Sequence, residues 1–586
     1  MPTTDDQTDP TTEVEPGAEA DRRAGRSGLV GQARRYGPFV VVAVLVAVAV
    51  VVFRGGGSDE DEASVGEATT DREELIRSGP MTPEKAELLG EGGVDFGPGC
   101  DLDTGRIMLP TAYAPPCVEP FEGDNGGSTS KGVTADTIKV VAYMSDSTVD
   151  PLGAALFGAA GDPEDAIETV EKLAEVYNAT FETYGREVEL EVFWGTGPMD
   201  DQELAKADGI AVAEKEPFAV IGGPAAAAGP FSDELASRDI LCLQGCSSAM
   251  GTAWVEDHAP YIWTGGIGTV DGGRVTGEAV GKLAGPGKAD MAGDAEMRQR
   301  DRVYGVLYAD YEGGEEVLDG VREGLAEHDA EVTAPIAVNG DPARAQEVGR
   351  TVISQLKEAG VTTVIYSGGP LEPGWLTSEA TAQDYHPEWI LGPNAFADTA
   401  LFSRGYDQDQ WTNGFGVAFG PTVSQRAGEA GHVYEWAYGE DPPSPVSGVL
   451  ELPLRTLFTG VHMAGPDLTV ESFRDGLFRY PRSGDGLDAA SVSWGDHGIW
   501  PGIDYGDSDD VGIMWWDPEA EGEPGTNAEG VGLYRLANGG QRYLPGEIPG
   551  SLDEAGLFDV ESSVPMYSLD SPEEDLMERY PPPPPP

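Results

Sequence analysis

The sequence predicts an α/β protein of two lobes, each built on a parallel, doubly wound sheet, standing behind one transmembrane helix. Three observations lead there. Apolar strand-length runs alternate with helical-period segments from Thr137 to Gly245. A second series with the same grammar runs from Arg302 to Pro393. One unbroken apolar run, Phe39 to Phe53, stands far upstream of both.

The upstream run reads FVVVAVLVAVAVVVF, fifteen residues without a polar side chain. With Tyr36, Gly37 and Pro38 it makes about 27 Å of helix, against ~30 Å of hydrocarbon. That length lies between a span and a secretory signal, so the run is either retained as an anchor or cleaved. Two features favour retention: Arg54 and a glycine run follow it instead of a small-residue cleavage pattern, and no cysteine stands there for lipidation. Arg22, Arg23, Arg26, Arg34 and Arg35 precede the run, and Asp59, Glu60, Asp61 and Glu62 follow it. The positive-inside bias leaves the N-terminus in the cytoplasm and the large remainder outside the cell membrane.

In the first series TIKVVAYM (137–144) reads as a buried strand and 166–181 as a helix. In the next strand Val188, Leu190, Val192 and Trp194 recur at period two. A helix over 203–215, a strand over 218–223, a helix over 231–239 and the apolar stretch from Ile240 complete the half. After YIWTGGIG (261–268) the second series has strands at 302–309, 331–338, 362–368 and 387–393, with helices at 315–328 and 343–360. NGFGVAFG (413–420) reads as a hinge, after which helical segments return to the first lobe. Two such lobes make a cleft beyond the C-terminal ends of their strands.

The net charge of −67, from 103 acidic and 36 basic residues, excludes nucleic acid as a partner, because phosphate binding needs a basic face. Only nine residues are Lys against 27 Arg; the acidic surface is read either as adaptation to salt or as ordinary solvation. Cys100 and Cys117 flank a Pro/Gly-rich loop and are expected to pair. The pairing of Cys242 and Cys246 stays open, Cys242 lying in an apolar strand where a free thiol packs as a small hydrophobe. Six scattered histidines, with no HExxH and no G-x-S-x-G, leave no catalytic set, metal site or cofactor to name. Asp504 to Asp510 holds four acids, but without calcium-loop spacing it reads as an acidic surface turn.

Five segments in order resemble the periplasmic branched-chain amino-acid-binding proteins, the type I periplasmic-binding fold of ABC importers. They are KGVTADTIKVVAYMS, AVIGGPAAAAGPFSDELASRDILCLQGCSSA, VYGVLYADYEGG, TTVIYSGGPLEPGW and EWILGPNAF, within about 131–482. The resemblance implies ligand contacts at strand ends: Ser145 after the first strand, Ala226 and Ala227 where the family often has serines, then Ser247 and Ser248. On the second lobe it implies the cleft tyrosine Tyr311 and, at the position of the family's ammonium-binding acid, Asn394. Pro370 stands where an aromatic is common. These departures put an ordinary α-amino acid in doubt, because an uncompensated buried ammonium is costly. Each residue also has a plainer reading: Ser247 and Ser248 as helix caps, Tyr311 as an exposed turn residue, Asn394 as a brace for its own loop.

The resulting plan has a disordered cytoplasmic tail at 1–35, a transmembrane anchor at 36–54 and an acidic linker at 55–130 carrying the Cys100–Cys117 loop. A solute-binding domain follows at 131–550, with lobe one at about 131–265 and 421–500 and lobe two at about 266–420, then an acidic and polyproline tail at 551–586. The expected function is an extracytoplasmic, membrane-anchored protein that clamps a small polar solute (an amino acid, amide or related compound) for delivery to an ABC permease. The alternatives are a sensing receptor domain with the same clamp and, more remotely, an enzyme on a two-lobed scaffold. Only about 35 residues precede the span, too few for a cytoplasmic signalling domain, which favours delivery.

Overall fold

The computed structural model describes residues 65–146, 148–150, 162–246, 250–420, 430–444, 447–484, 489–522, 529–566, 577 and 579–582. The Phe39–Phe53 run lies outside them, and among the described residues no helix is long and apolar enough to cross a membrane.

The stretch read as a flexible linker is folded where it is described. Helices occupy Val65–Ser78 and Pro83–Leu89, and strands β1 (Cys100–Asp101) and β2 (Arg106–Ile107) pair antiparallel. Cys100 and Cys117 are bonded, with Cα atoms 5.7 Å apart. The closed loop is anchored by its apolar residues: Leu109 is fully buried in the first lobe's core. Tyr113 Oη donates to Ala490 O at 2.9 Å, and Tyr480 Oη donates to Tyr113 O at 2.9 Å. Composition suggested a linker because its few apolar residues carry no period; they act through contacts far along the chain.

The first lobe is a parallel sheet in the order β4-β3-β5-β6-β7, formed by β3 (Thr137–Met144), β4 (Glu187–Trp194), β5 (Ala219–Ile221), β6 (Leu241–Leu243) and β7 (Ile262–Trp263). Both faces are covered, as βαβ crossovers require. On β3, Val140, Ala142 and Met144 pack into one core and Val141 and Tyr143 into the other. The helix Pro163–Thr180 starts where Asp162 caps it and Pro163 fits its first turn. The helices Ala430–Tyr438, Ser447–Ala464 and Val470–Arg479 return to this lobe, contributing Val433, Leu454, Phe458 and Phe473 to its core.

The second lobe begins with the helix Thr269–Leu283. Its sheet joins β8 (Tyr304–Ala309), β9 (Val332–Val338), β10 (Thr363–Ser367), β11 (Glu388–Leu391) and β12 (Phe415–Ala418) in parallel. The segment read as a hinge is thus β12, a strand between β11 and β13 (Val511–Gly522). Gly416 suits that place, because a Cβ there would lie 2.7 Å from Leu391 Cβ. The lobe also extends beyond residue 420. Strand β13, β14 (Gly530–Leu536), β15 (Arg542–Tyr543) and β16 (Val564–Pro565) continue the sheet antiparallel. The expected C-terminal tail is part of this structure in its described portions: β16 pairs with β14, and Tyr580 O accepts from Trp436 Nε1 at 2.9 Å.

Candidate functional site

Strands β6 and β7 end side by side, and the turn after β6 shapes the site. Gln244 and Gly245 both take positive φ, of 48° and 70°, turning the chain back so that Cys246 meets Cys242, to which it is bonded. The pairing left open in the sequence is thus a short local disulfide.

From β7 the chain crosses to the second lobe through Thr264–Gly268, and it crosses again before β13 through the segment ending at Asp510. The two crossings lie against each other: Thr264 N–H donates to Tyr505 O at 3.0 Å and Asp507 N–H to Gly266 O at 3.2 Å. Asp507 Oδ1 accepts Gly266 N–H at 2.5 Å. Arg542 ties in the chain leaving β12, donating to Gly420 O at 2.9 Å while its Nε donates to Asp510 Oδ1 at 2.7 Å. Asp504 to Asp510 is thus not a solvated surface turn, because Asp507, Asp509 and Asp510 are buried between the crossings.

A cavity of about 480 Å³ opens at this junction, within the usual range for small-molecule sites. The first lobe contributes Gly245, Met250, Thr252, Val255 and Glu256, the first crossing Thr264, Gly265, Ile267 and Gly268, and the second lobe Thr269, Val270, Asp271, Arg274 and Tyr311. The segment Trp500–Gly506 closes another wall. Burial pushes the Asp504 carboxyl well above the usual carboxylate range, and the charges of Asp509, Asp271 and Asp507 add to the shift. Asp271 is also raised by burial, against the pull of Arg274. Among the described residues no group of three or more His, Cys, Asp or Glu could hold a metal ion.

One contact joins the lobes beside the cavity. Glu316, on the second-lobe helix Glu312–Ala326, accepts from Thr252 N at 2.5 Å, Ala253 N at 3.3 Å and Thr269 Oγ1 at 2.7 Å. Thr252 and Ala253 begin the first-lobe helix Thr252–Asp257, whose free N–H groups favour a carboxylate.

Of the residues singled out in the sequence, Tyr311 lines the cavity, with 44% of its surface exposed. Ser145 follows β3, half-buried. Ala226 is exposed on the turn Ala225–Ala227, whereas Ala227 is buried beside Phe231 and its N–H bonds Pro224 O. Asn394 braces its own loop: Nδ2 donates to Gly392 O at 3.0 Å, and Oδ1 accepts Asp398 N–H at 3.2 Å. Ser247 and Ser248 lie outside the described residues, between the lining residues Gly245 and Met250. Sequence reasoning missed Thr264, Asp271, Trp500 and Asp504. The available signal was Trp500, Ile503 and Tyr505 among the acids, since a solvated turn has no need of such bulk.

No family model matches the chain, and no curated protein matches it. Solved structures similar to it include several binding proteins. One is a periplasmic binding protein from Burkholderia mallei, 13% identical, covering 73% of this chain and 98% of that chain with a TM-score of 0.48. Another is a leucine-, isoleucine-, valine-, threonine- and alanine-binding protein from Brucella ovis in a closed conformation, 12% identical, 71% and 98% covered, TM-score 0.49. A third is a fatty acid ABC transporter substrate-binding protein from Thermomonospora curvata, 15% identical, 74% and 98% covered, TM-score 0.44.

Proposed function

We propose that the protein is an extracytoplasmic solute-binding protein. It clamps a small polar solute between its lobes and delivers it to an ABC importer, tethered by residues 36–54 with the large domain outside the membrane. The observation that carries this reading is the junction cavity, walled by both lobes and by the chain segments that cross between them. A ligand touching both lobes favours the closed arrangement over the open one, which is how a clamp couples binding to recognition by a permease. Among the described residues the cavity lining holds no Ser, Cys, His or Lys, which accords with binding without chemistry. The tether is supported by the arginines before Phe39 and the acids after Arg54.

Mass spectrometry of small molecules released from purified, denatured protein tests the function, expecting one dominant low-mass compound that rebinds. Recovery of none, together with no shift in unfolding across a solute library, would overturn the reading. Protease added to intact cells tests the tether, and it should digest the large domain while sparing residues 1–35.

A further inference from the structure

We infer that the junction cavity is built for an organic cation, a solute bearing an ammonium or guanidinium group, with Asp504 and Thr264 taking its N–H donors. The inference rests on the cavity being the solute site and adds the charge class of the solute.

Asp504 Oδ1 accepts Gly506 N–H at 2.7 Å, but its Oδ2 is buried without a hydrogen-bond partner. Thr264 Oγ1, on the adjoining crossing, is also buried and unpartnered. The two side chains meet over Gly506, where a Cβ would lie 3.0 Å from Asp504 Oδ1 and 3.2 Å from Thr264 Oγ1. Leaving such atoms unpaired is costly, and a ligand with several N–H donors satisfies both at once.

An independent observation comes from Trp500. It is 8% exposed, lines the cavity, and its indole Nε1 has no partner. Indole N–H only donates, so the ligand must also carry an acceptor.

The remaining walls set the sign of the charge. Glu256 and Asp271 add carboxylates. Arg274, the one basic lining residue among those described, is already paired with Asp271 and with Glu323, the latter at 2.8 Å. A carboxylate solute meets repulsion here, whereas a cation holds Asp504 ionised and offsets its burial. The lining also includes the rings of Tyr311 and Tyr505, whose faces attract cations.

Calorimetric titration of the full chain with glycinamide, argininamide (amines that also carry an amide acceptor), benzoate and urea tests this. At least one amine should bind, and Asp504→Asn should raise its Kd at least about tenfold. Ile503→Trp, a substitution at a lining residue with 53% exposure, should abolish binding by filling the cavity. If only benzoate or urea binds and Ile503→Trp blocks it, the solute site stands and the cation inference falls. If amines bind and neither variant matters, the site reading falls with it. No amine binding overturns the cation inference alone, since released-ligand mass spectrometry still tests the site. Should Asp504→Asn fail to fold, Thr264→Val must weaken amine binding instead, and unchanged affinity overturns the inference.

Discussion

Gln244 Nε2 donates to Asp507 Oδ2 at 2.5 Å across 263 residues of sequence. The same carboxylate accepts Gly266 N–H, so a first-lobe strand end and two interlobe crossings meet at one buried side chain, 3% exposed. Removing it strands two buried donors. Asp507→Ala is expected to lower the unfolding free energy by about 2–3 kcal/mol and Gln244→Ala by about 1 kcal/mol. Urea unfolding measures both. The double variant should cost little more than Asp507→Ala alone, because the two residues share one interaction. Full additivity would show that the contact is not formed.

The acids between the crossings give the protein an unusual pH response. Burial pushes the Asp509 carboxyl up to about 7, against the stabilising hydroxyl of Ser493 at 2.8 Å. The folded state then holds a proton that the unfolded chain releases near 3.8. Stability contributed by this group therefore falls as pH rises between those values and levels off above about 7. His462 acts in the opposite sense: burial pushes it down to about 4, and its neutral ring accepts Glu182 N–H at Nδ1 and donates from Nε2 to Pro116 O. Its contribution is present above 6.5 and is lost as pH falls toward 4. Thermal unfolding midpoints should decline as pH rises from 6.5 to about 7 and level off above it, and Asp509→Asn should flatten that decline. A midpoint that climbs over this range contradicts the assignment.

The strands of both parallel sheets were legible because each is buried on two faces, so Val140–Met144 and Val364–Tyr366 appear as apolar runs. What was illegible depends on partners distant in sequence. Strand β13 re-enters the second sheet beside β12, nearly a hundred residues after the chain has left it, and no local pattern announces that return. Tyr311 was found through a resemblance, not through its spacing. Asp504 was passed over because an acid-rich stretch normally faces water; here the Thr264–Gly268 crossing packs beside it. Asn394 braces its own loop with one donated and one accepted bond, a role its spacing does not announce.

The Cys100–Cys117 bond closes a loop that is built into the first lobe's core. Its loop carries the fully buried Leu109 and the Tyr113 contacts to Ala490 and Tyr480. Replacing both cysteines by serine is expected to cost about 3 kcal/mol in the chain-entropy estimate. Cleavage by trypsin at Arg106, whose guanidinium bonds Ala114 O, should accelerate in the same variant. Unchanged urea midpoint and unchanged cleavage would show that apolar contacts alone hold the loop.

The Glu316 contact predicts how the lobes are biased toward closure. Its carboxylate takes two backbone N–H groups at the start of the first-lobe helix and the Thr269 hydroxyl, and Thr252 N–H is shared with that hydroxyl at 2.9 Å. The neighbouring Gly251 leaves room for this approach, since a Cβ there would collide with the Glu316 carboxylate. Separating the lobes breaks the bonds from Thr252 and Ala253, whereas the Thr269 bond lies within the second lobe and does not depend on closure. Glu316→Ala should therefore shift the unliganded protein toward the open form, seen in solution scattering as a larger radius of gyration. Bound solute must then supply more of the closing free energy, and its apparent affinity should weaken by about 12- to 160-fold, the range expected for charge-assisted hydrogen bonds. Gly251→Ala should act in the same direction by displacing the carboxylate. Scattering and affinity both unchanged in Glu316→Ala would mean that closure is set elsewhere, leaving the packed crossings to determine it.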